Sequence, residues 1–262
     1  FCATNKSSYT LDYGVWKTDG TAAGTVQLND LNTNTNSYNP GNLVSFDGML
    51  YFAEAKTNTF RNAIYRITNA GETQLVQENI NSGKFSVVGN TLFFLGQPNY
   101  PNLVGAELWK ITSLGAEIVK EINPGNGASS PAELTNVNGT LFFSAWDGVN
   151  GQELWKSDGT DAGTVMVKDI YLNNNTNQYP PTQLTAVDGI LYFNAFTLEY
   201  GKELWKSDGT EAGTVLVKDI VPGSSNPGGN PLDLINVNGT LFFTSGPADR
   251  DLWKTDGTAE GT

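Results

Sequence analysis

Residues 152–170 read QELWKSDGTDAGTVMVKDI, and residues 202–220 read KELWKSDGTEAGTVLVKDI. Fifty positions apart, the two stretches differ at three of nineteen residues. Working outward, the phrase returns as LDYGVWKTDGTAAGTV at 11–26 and RDLWKTDGTAEGT at 250–262. Worn copies stand at 106–122 (AELWKITSLGAEIVKEI) and 63–80 (AIYRITNAGETQLVQENI). The anchoring aromatics Trp16, Tyr65, Trp109, Trp155, Trp205 and Trp253 are spaced by 49, 44, 46, 50 and 48 residues. Self-similarity at a period of 20–50 residues is the mark of a repeat architecture.

A second phrase lies between the anchors: VSFDGMLYF at 44–52, SVVGNTLFF at 86–94, TNVNGTLFF at 135–143, TAVDGILYF at 185–193 and INVNGTLFF at 235–243. Each is a pair of short apolar runs joined by Asp-Gly, Asn-Gly or Gly-Asn, residues that accept the positive φ of a two-residue hairpin turn. Every unit therefore reads as four strands: A, ending at Val137 and its equivalents; B, the LFF run; C, ELWK; and D, TVxVKDI. The DGTxAG segment joins C to D, with Asp and Gly supplying turn chemistry. No segment carries a helical period. Four strands in about 48 residues predict an all-β chain, a β-propeller of four-stranded antiparallel blades.

The blade repeats run approximately 1–31 (partial), 40–80, 84–122, 131–170, 181–220 and 231–262 (partial), all within one propeller domain over 1–262. Phe1 aligns with Phe52, Phe94, Phe143, Phe193 and Phe243, which implies 22 strands, against 24 for six complete blades. The expectation is a six-bladed ring or an excerpt of a larger propeller.

The ELWKSDGTxAGT phrase resembles the ELWxxDGT-repeat family of bacterial proteins. The match is complete at Glu153, Leu154, Trp155, Asp158, Gly159 and Thr160, and again at Glu203, Leu204, Trp205, Asp208, Gly209 and Thr210. It weakens at Val15-Trp16 and Leu252-Trp253, which lack the Glu, and around Tyr65 and Trp109, which lack DGT. The resemblance implies a large exported or surface-associated repeat protein with propeller-like blades, and no particular catalytic residues.

A net charge of −12 and a pI near 4.3 exclude the basic face that nucleic acid or an anionic membrane surface would need. The absence of histidine excludes Ser-His-Asp and Cys-His nucleophile systems within this sequence, and His-ligated metals. No run of apolar residues reaches the roughly 18 of a membrane helix.

With antiparallel strands, the A–B and C–D turns emerge at one end of each sheet and the B–C and D–A loops at the other. The first set is stereotyped, whereas the second varies from unit to unit, the pattern of a binding face on a rigid scaffold. Phe60, Tyr100, Trp146, Tyr179, Phe196 and Tyr200 are its candidate ligand-binding aromatics, suited beside Asn and Gln amides to a glycan or to a protein. The aspartates of DGT, Asp19, Asp158, Asp208 and Asp256, are candidate calcium ligands, calcium being the one cofactor in view, or else turn formers. The anchor Trp residues read as packing between sheets. The Lys-Asp pairs 168–169 and 218–219 read as solvated edge polarity.

Together these features lead to the expectation of a non-catalytic, secreted or cell-surface binding and adhesion scaffold, contacting glycan or protein through the variable loops. Two alternatives stand beside it: a self-assembling structural subunit of an extracellular filament or coat, and a propeller glycoside hydrolase.

Overall fold

In the last three repeats the first hairpin is set by two successive residues with positive φ: 49° and 84° at Asn138 and Gly139, 47° and 83° at Asp188 and Gly189, and 51° and 82° at Asn238 and Gly239. This is the type I′ turn, whose twist matches that of the strands it joins. Val137 pairs with Thr140, Val187 with Ile190 and Val237 with Thr240 directly across it.

The computed structural model describes residues 2–7, 10–29, 38–56, 62–98, 105–172, 179–222, 228–246 and 250–262. Among them lie 22 strands in six sheets and no helix. Sheet I holds β1 (Cys2–Ser7), β2 (Thr10–Lys17) and β3 (Val26–Asn29). Sheet II holds β4 (Tyr38–Phe46), β5 (Met49–Lys56), β6 (Asn62–Ile67) and β7 (Thr73–Glu78). Sheet III holds β8 (Ile80–Val88), β9 (Thr91–Pro98), β10 (Glu107–Thr112) and β11 (Gly115–Lys120). Sheet IV holds β12 (Ala132–Val137), β13 (Thr140–Trp146), β14 (Gln152–Ser157) and β15 (Val165–Lys168). Sheet V holds β16 (Thr182–Val187), β17 (Ile190–Thr197), β18 (Gly201–Ser207) and β19 (Val215–Lys218). Sheet VI holds β20 (Leu232–Val237), β21 (Thr240–Ser245) and β22 (Asp251–Thr255). Strands pair in sequence order within every sheet. A succession of such four-stranded antiparallel meanders is the blade architecture of a β-propeller.

Two compact units divide the chain, one formed by 1–104 with 109–118, the other by 105–108 with 119–262. In the first, Tyr51, Ile64, Leu92 and Phe94 form a core between sheets II and III, and Val15, Phe52 and Ile67 form one between sheets I and II. In the second, Leu154, Val167, Leu191, Phe193 and Trp205 fill the space between sheets IV and V, and Leu204, Leu241 and Phe243 that between V and VI. The last aromatic of each LFF phrase is 0–1% exposed and stands opposite an anchor: Phe52 to Tyr65, Phe143 to Trp155, Phe193 to Trp205 and Phe243 to Trp253. The anchors are thus packing residues.

Consecutive sheets are also tied by polar contacts at fixed places in the repeat. Strand A carries a bulge at which Glu133 and Gln183 adopt φ of 59° and 60°. From there Glu133 Oε2 accepts the Leu184 N–H at 3.3 Å, and Gln183 Oε1 accepts the Asp233 N–H at 2.9 Å. The ELWK lysines Lys156 and Lys206 donate to the carbonyls of Gly209 and Gly257 in the following sheet, both at 2.8 Å. The VKDI lysines reach the same loop. Lys168 donates to Thr214 O at 2.9 Å and Lys218 to Thr262 O at 2.6 Å. Lys120 pairs with the Asp161 carboxylate at 3.1 Å. The VKDI lysines are therefore connectors between sheets, and the edge-polarity expectation is corrected. A long side chain can lay its stem along the apolar flank of its own sheet and still bring its ammonium to a neighbour's carbonyls.

Candidate functional site

The B–C and D–A connections of unit 2 bring together two of the aromatics singled out in the sequence. Phe196 ends the buried run of β17, and Tyr179 enters β16 from the preceding connection. Their rings stack at 4.0 Å and 18°. Tyr171, which the sequence reading passed over, meets both edge-on at 5.4 Å. Phe196 and Tyr171 are only 5% and 7% exposed. The three rings pack on one another at the sheet end.

Trp146 closes β13, where its backbone N–H donates to Ser129 O at 2.9 Å. Its indole nitrogen is buried. Tyr200 is half-buried, its N–H donates to Thr197 Oγ1 at 3.2 Å, and hydrogen bonding to Glu199 holds its phenol above the ordinary tyrosine range. Phe60 and Tyr100 lie outside the described residues. The structure thus unites Tyr179 with Phe196 and joins neither Trp146 nor Tyr200 to them in ring contact.

Beneath these loops lies a set of acids that the sequence showed only as the recurring Glu of ELW. Glu107, Glu153 and Glu203 are 0–2% exposed. Each accepts backbone N–H groups from the segment that leaves strand D. Glu107 takes those of Ile122 at 3.0 Å and Ser129 at 3.1 Å, Glu153 those of Ile170 at 2.8 Å and Tyr171 at 3.2 Å, and Glu203 those of Ile220 at 3.2 Å and Gly229 at 2.6 Å. Burial raises all three above the ordinary glutamate value, pushing Glu153 to about 8. In sheets IV and V the Glu stands opposite Ala145 or Ala195 on strand B. In sheet II the pair is exchanged, with the buried Glu54 on β5 facing Ala63 on β6. Cross-strand partners share one spot on the sheet face, so the acid keeps its place while changing strand. These carboxyls latch loops to sheets and are enclosed, which removes them from contact with substrate.

The DGT aspartates lie at the opposite sheet ends. Asp158 Oδ1 accepts both the N–H and the hydroxyl of Thr160, at 2.8 and 2.7 Å, and Asp19, Asp208 and Asp256 repeat the pattern. These hydrogen bonds hold the carboxyls of Asp19, Asp208 and Asp256 below the ordinary aspartate value. A Cβ placed on Gly163 would lie 2.1 Å from Asp158 Oδ1, so the loop closes only over glycine. Among the described residues no three acidic or cysteine side chains are placed to hold a metal ion. The aspartates are turn formers here.

No protein-family profile matches the sequence, and no curated protein does. Solved structures do. A puromycin hydrolase mutant complexed with PGG matches 97% of this chain and 41% of its own at 11% identity and a TM-score of 0.56. A puromycin-hydrolyzing peptidase of Mycobacterium tuberculosis matches 97% of this chain and 40% of its own at 12% identity and a TM-score of 0.50. The β-propeller domain of the Trilobed protease from Pyrococcus furiosus matches 98% of this chain and 96% of its own at 10% identity and a TM-score of 0.38. The chain spans about two fifths of the length of the two puromycin-cleaving proteins.

This overturns the expectation of a non-catalytic adhesion scaffold that belongs to no enzyme. The fold is one found in hydrolases and peptidases. Of the loop aromatics behind the scaffold reading, Tyr179 and Phe196 pack on each other and on Tyr171.

Proposed function

We propose that this chain is the propeller portion of a hydrolase that cleaves amide or peptide bonds, shaping access to the site while the bond-breaking groups come from residues outside these 262. The supporting observation is the likeness in fold, over 97% of the chain, to a puromycin hydrolase. The division of labour rests on composition and burial. With no histidine, this sequence supplies no imidazole base for a serine or cysteine nucleophile. Three of its acids with raised pKa, Glu107, Glu153 and Glu203, are enclosed and spent on backbone N–H groups. A rigid β-sheet wall contributes to such chemistry by excluding water and admitting only substrates of suitable shape.

The test is activity-based labelling of the protein that carries this chain, purified from its native source. A fluorophosphonate probe should modify a serine on the same polypeptide outside residues 1–262, and modification should abolish hydrolysis of aminoacyl-4-nitroanilides. A pure protein that neither takes up the probe nor cleaves any amide in the panel would refute the proposal.

A further inference from the structure

Within unit 1 the coupling between consecutive sheets has lost one of its parts, and the loss leaves a cavity. Where the repeat is intact, the strand-C lysine and the middle aromatic of strand B form a platform, paired as Phe142 with Lys156 and as Tyr192 with Lys206. The DGT glycine of the next sheet sits on it. Gly209 and Gly257 each accept the lysine ammonium through their carbonyl at 2.8 Å. A Cβ on Gly209 would lie 3.0 Å from the Phe142 ring, and one on Gly257 2.3 Å from the Tyr192 hydroxyl.

In sheet II the same platform is Tyr51 paired with Arg66. The following sheet has no DGT loop to set upon it. Its C–D connection is the short turn from Thr112 to Gly115, closed when the Thr112 hydroxyl donates to Gly115 O at 3.0 Å. A cavity of about 410 Å³ occupies the place of the loop, with Tyr51 and Arg66 on one side and Thr112 and Ser113 on the other. Phe46 and Met49 add apolar lining. Among the described residues the Arg66 guanidinium makes one hydrogen bond, from Nε to Gln74 Oε1 at 3.0 Å. Its two terminal nitrogens keep their donors for another acceptor.

We propose that this cavity binds a small monocarboxylate with an apolar body, such as an N-acylated hydrophobic amino acid. The carboxylate oxygens take the position of the missing glycine carbonyl, now against a planar fork suited to two of them. The apolar body covers Tyr51 and Met49. Asp47, also on the lining, repels a multiply charged anion, and Lys110 is already paired with Glu117 at 3.1 Å. The volume falls within the range of small-molecule pockets, roughly 300–1,000 Å³. The site lies in one unit and does not depend on the hydrolase reading.

Isothermal titration of the full chain with N-acetylphenylalanine, N-acetylphenylalaninamide and inorganic phosphate tests the proposal. The acid should bind saturably, with the neutral amide and phosphate each at least tenfold weaker. Arg66→Gln should weaken the acid at least tenfold, with circular dichroism unchanged. Should that variant fail to fold, Ser113→Trp, which fills the cavity from an exposed turn, should abolish binding instead. No binding of the acid at about 10 mM, weaker than the millimolar end of specific affinities, overturns the site. So do equal affinities for acid and amide, or binding that survives the variant that folds. Phosphate binding as tight as the acid would replace the carboxylate class with a bare anion site and overturn the proposal as stated.

Discussion

At Glu153 two influences compete, and burial wins. The N–H groups of Ile170 and Tyr171 favour a charged carboxylate, yet enclosure raises the pKa to about 8. Between an unfolded value of 4.5 and this folded value, the native state holds a proton that the unfolded chain has released. The stability from this group is therefore complete below the lower value and is lost as pH rises through the upper one. Urea unfolding at about pH 6 and about pH 9 should show the wild type weaker at the higher pH, by about 1–3 kcal/mol. Glu153→Gln should flatten that difference, and the remaining slope should come from Glu107, Glu203 and Asp169, all also raised. Gly163 poses a steric question. Gly163→Ala would push a methyl into the Asp158 carboxylate, which Thr160 holds from the other side. A loss of about 1–3 kcal/mol is expected by calorimetry, part of it recovered when Asp158→Ala is added.

Strand and turn positions were legible at the level of the element, because a repeat aligns equivalent residues and hairpin turns demand particular ones. The ends of elements were less so. TVxVKDI reads as one strand, yet β15 and β19 stop at Lys168 and Lys218. Two residues on, the N–H groups of Ile170 and Ile220 leave the ladder for the carboxylates of Glu153 and Glu203. Periodicity shows that a residue recurs, and only geometry shows where a long side chain ends. The lysines thus read as solvent-facing, while the packing of Tyr179 and Phe196 against Tyr171 and the exchange of Glu54 with Ala63 passed unseen. The cavity beside Arg66 was hidden for the same reason, since a missing loop in one repeat is felt by the repeat before it. The lysine contacts give a direct test. Lys206→Met should cost about 1–2 kcal/mol through loss of its bond to Gly257 O. Lys254→Met, at the equivalent but exposed place in β22, should stay within about 0.5 kcal/mol. Chemical denaturation of the two variants side by side decides it.

For the molecule as a whole, stability is the sum of like interfaces between neighbouring sheets, as in other repeat proteins. Trp205 stands in the core shared by sheets IV and V, so Trp205→Ala should cost about 3–5 kcal/mol. Its effect should be local. Hydrogen exchange should show protection falling in β12 to β19, while β4 to β7 keep theirs. The function was the least legible part, since a propeller fold serves many activities and the repeated residues are occupied with holding sheets together. From sheet IV to V and from V to VI the lysine contacts also run one way along the chain: the earlier sheet offers ammonium groups forward and the later one carbonyl oxygens backward. A gene duplication spanning one period copies the plug together with the socket that fits it. A newborn copy of an intact repeat is thus wired to both neighbours from its first generation, and later change in a single socket opens room for chemistry without unplugging the rest.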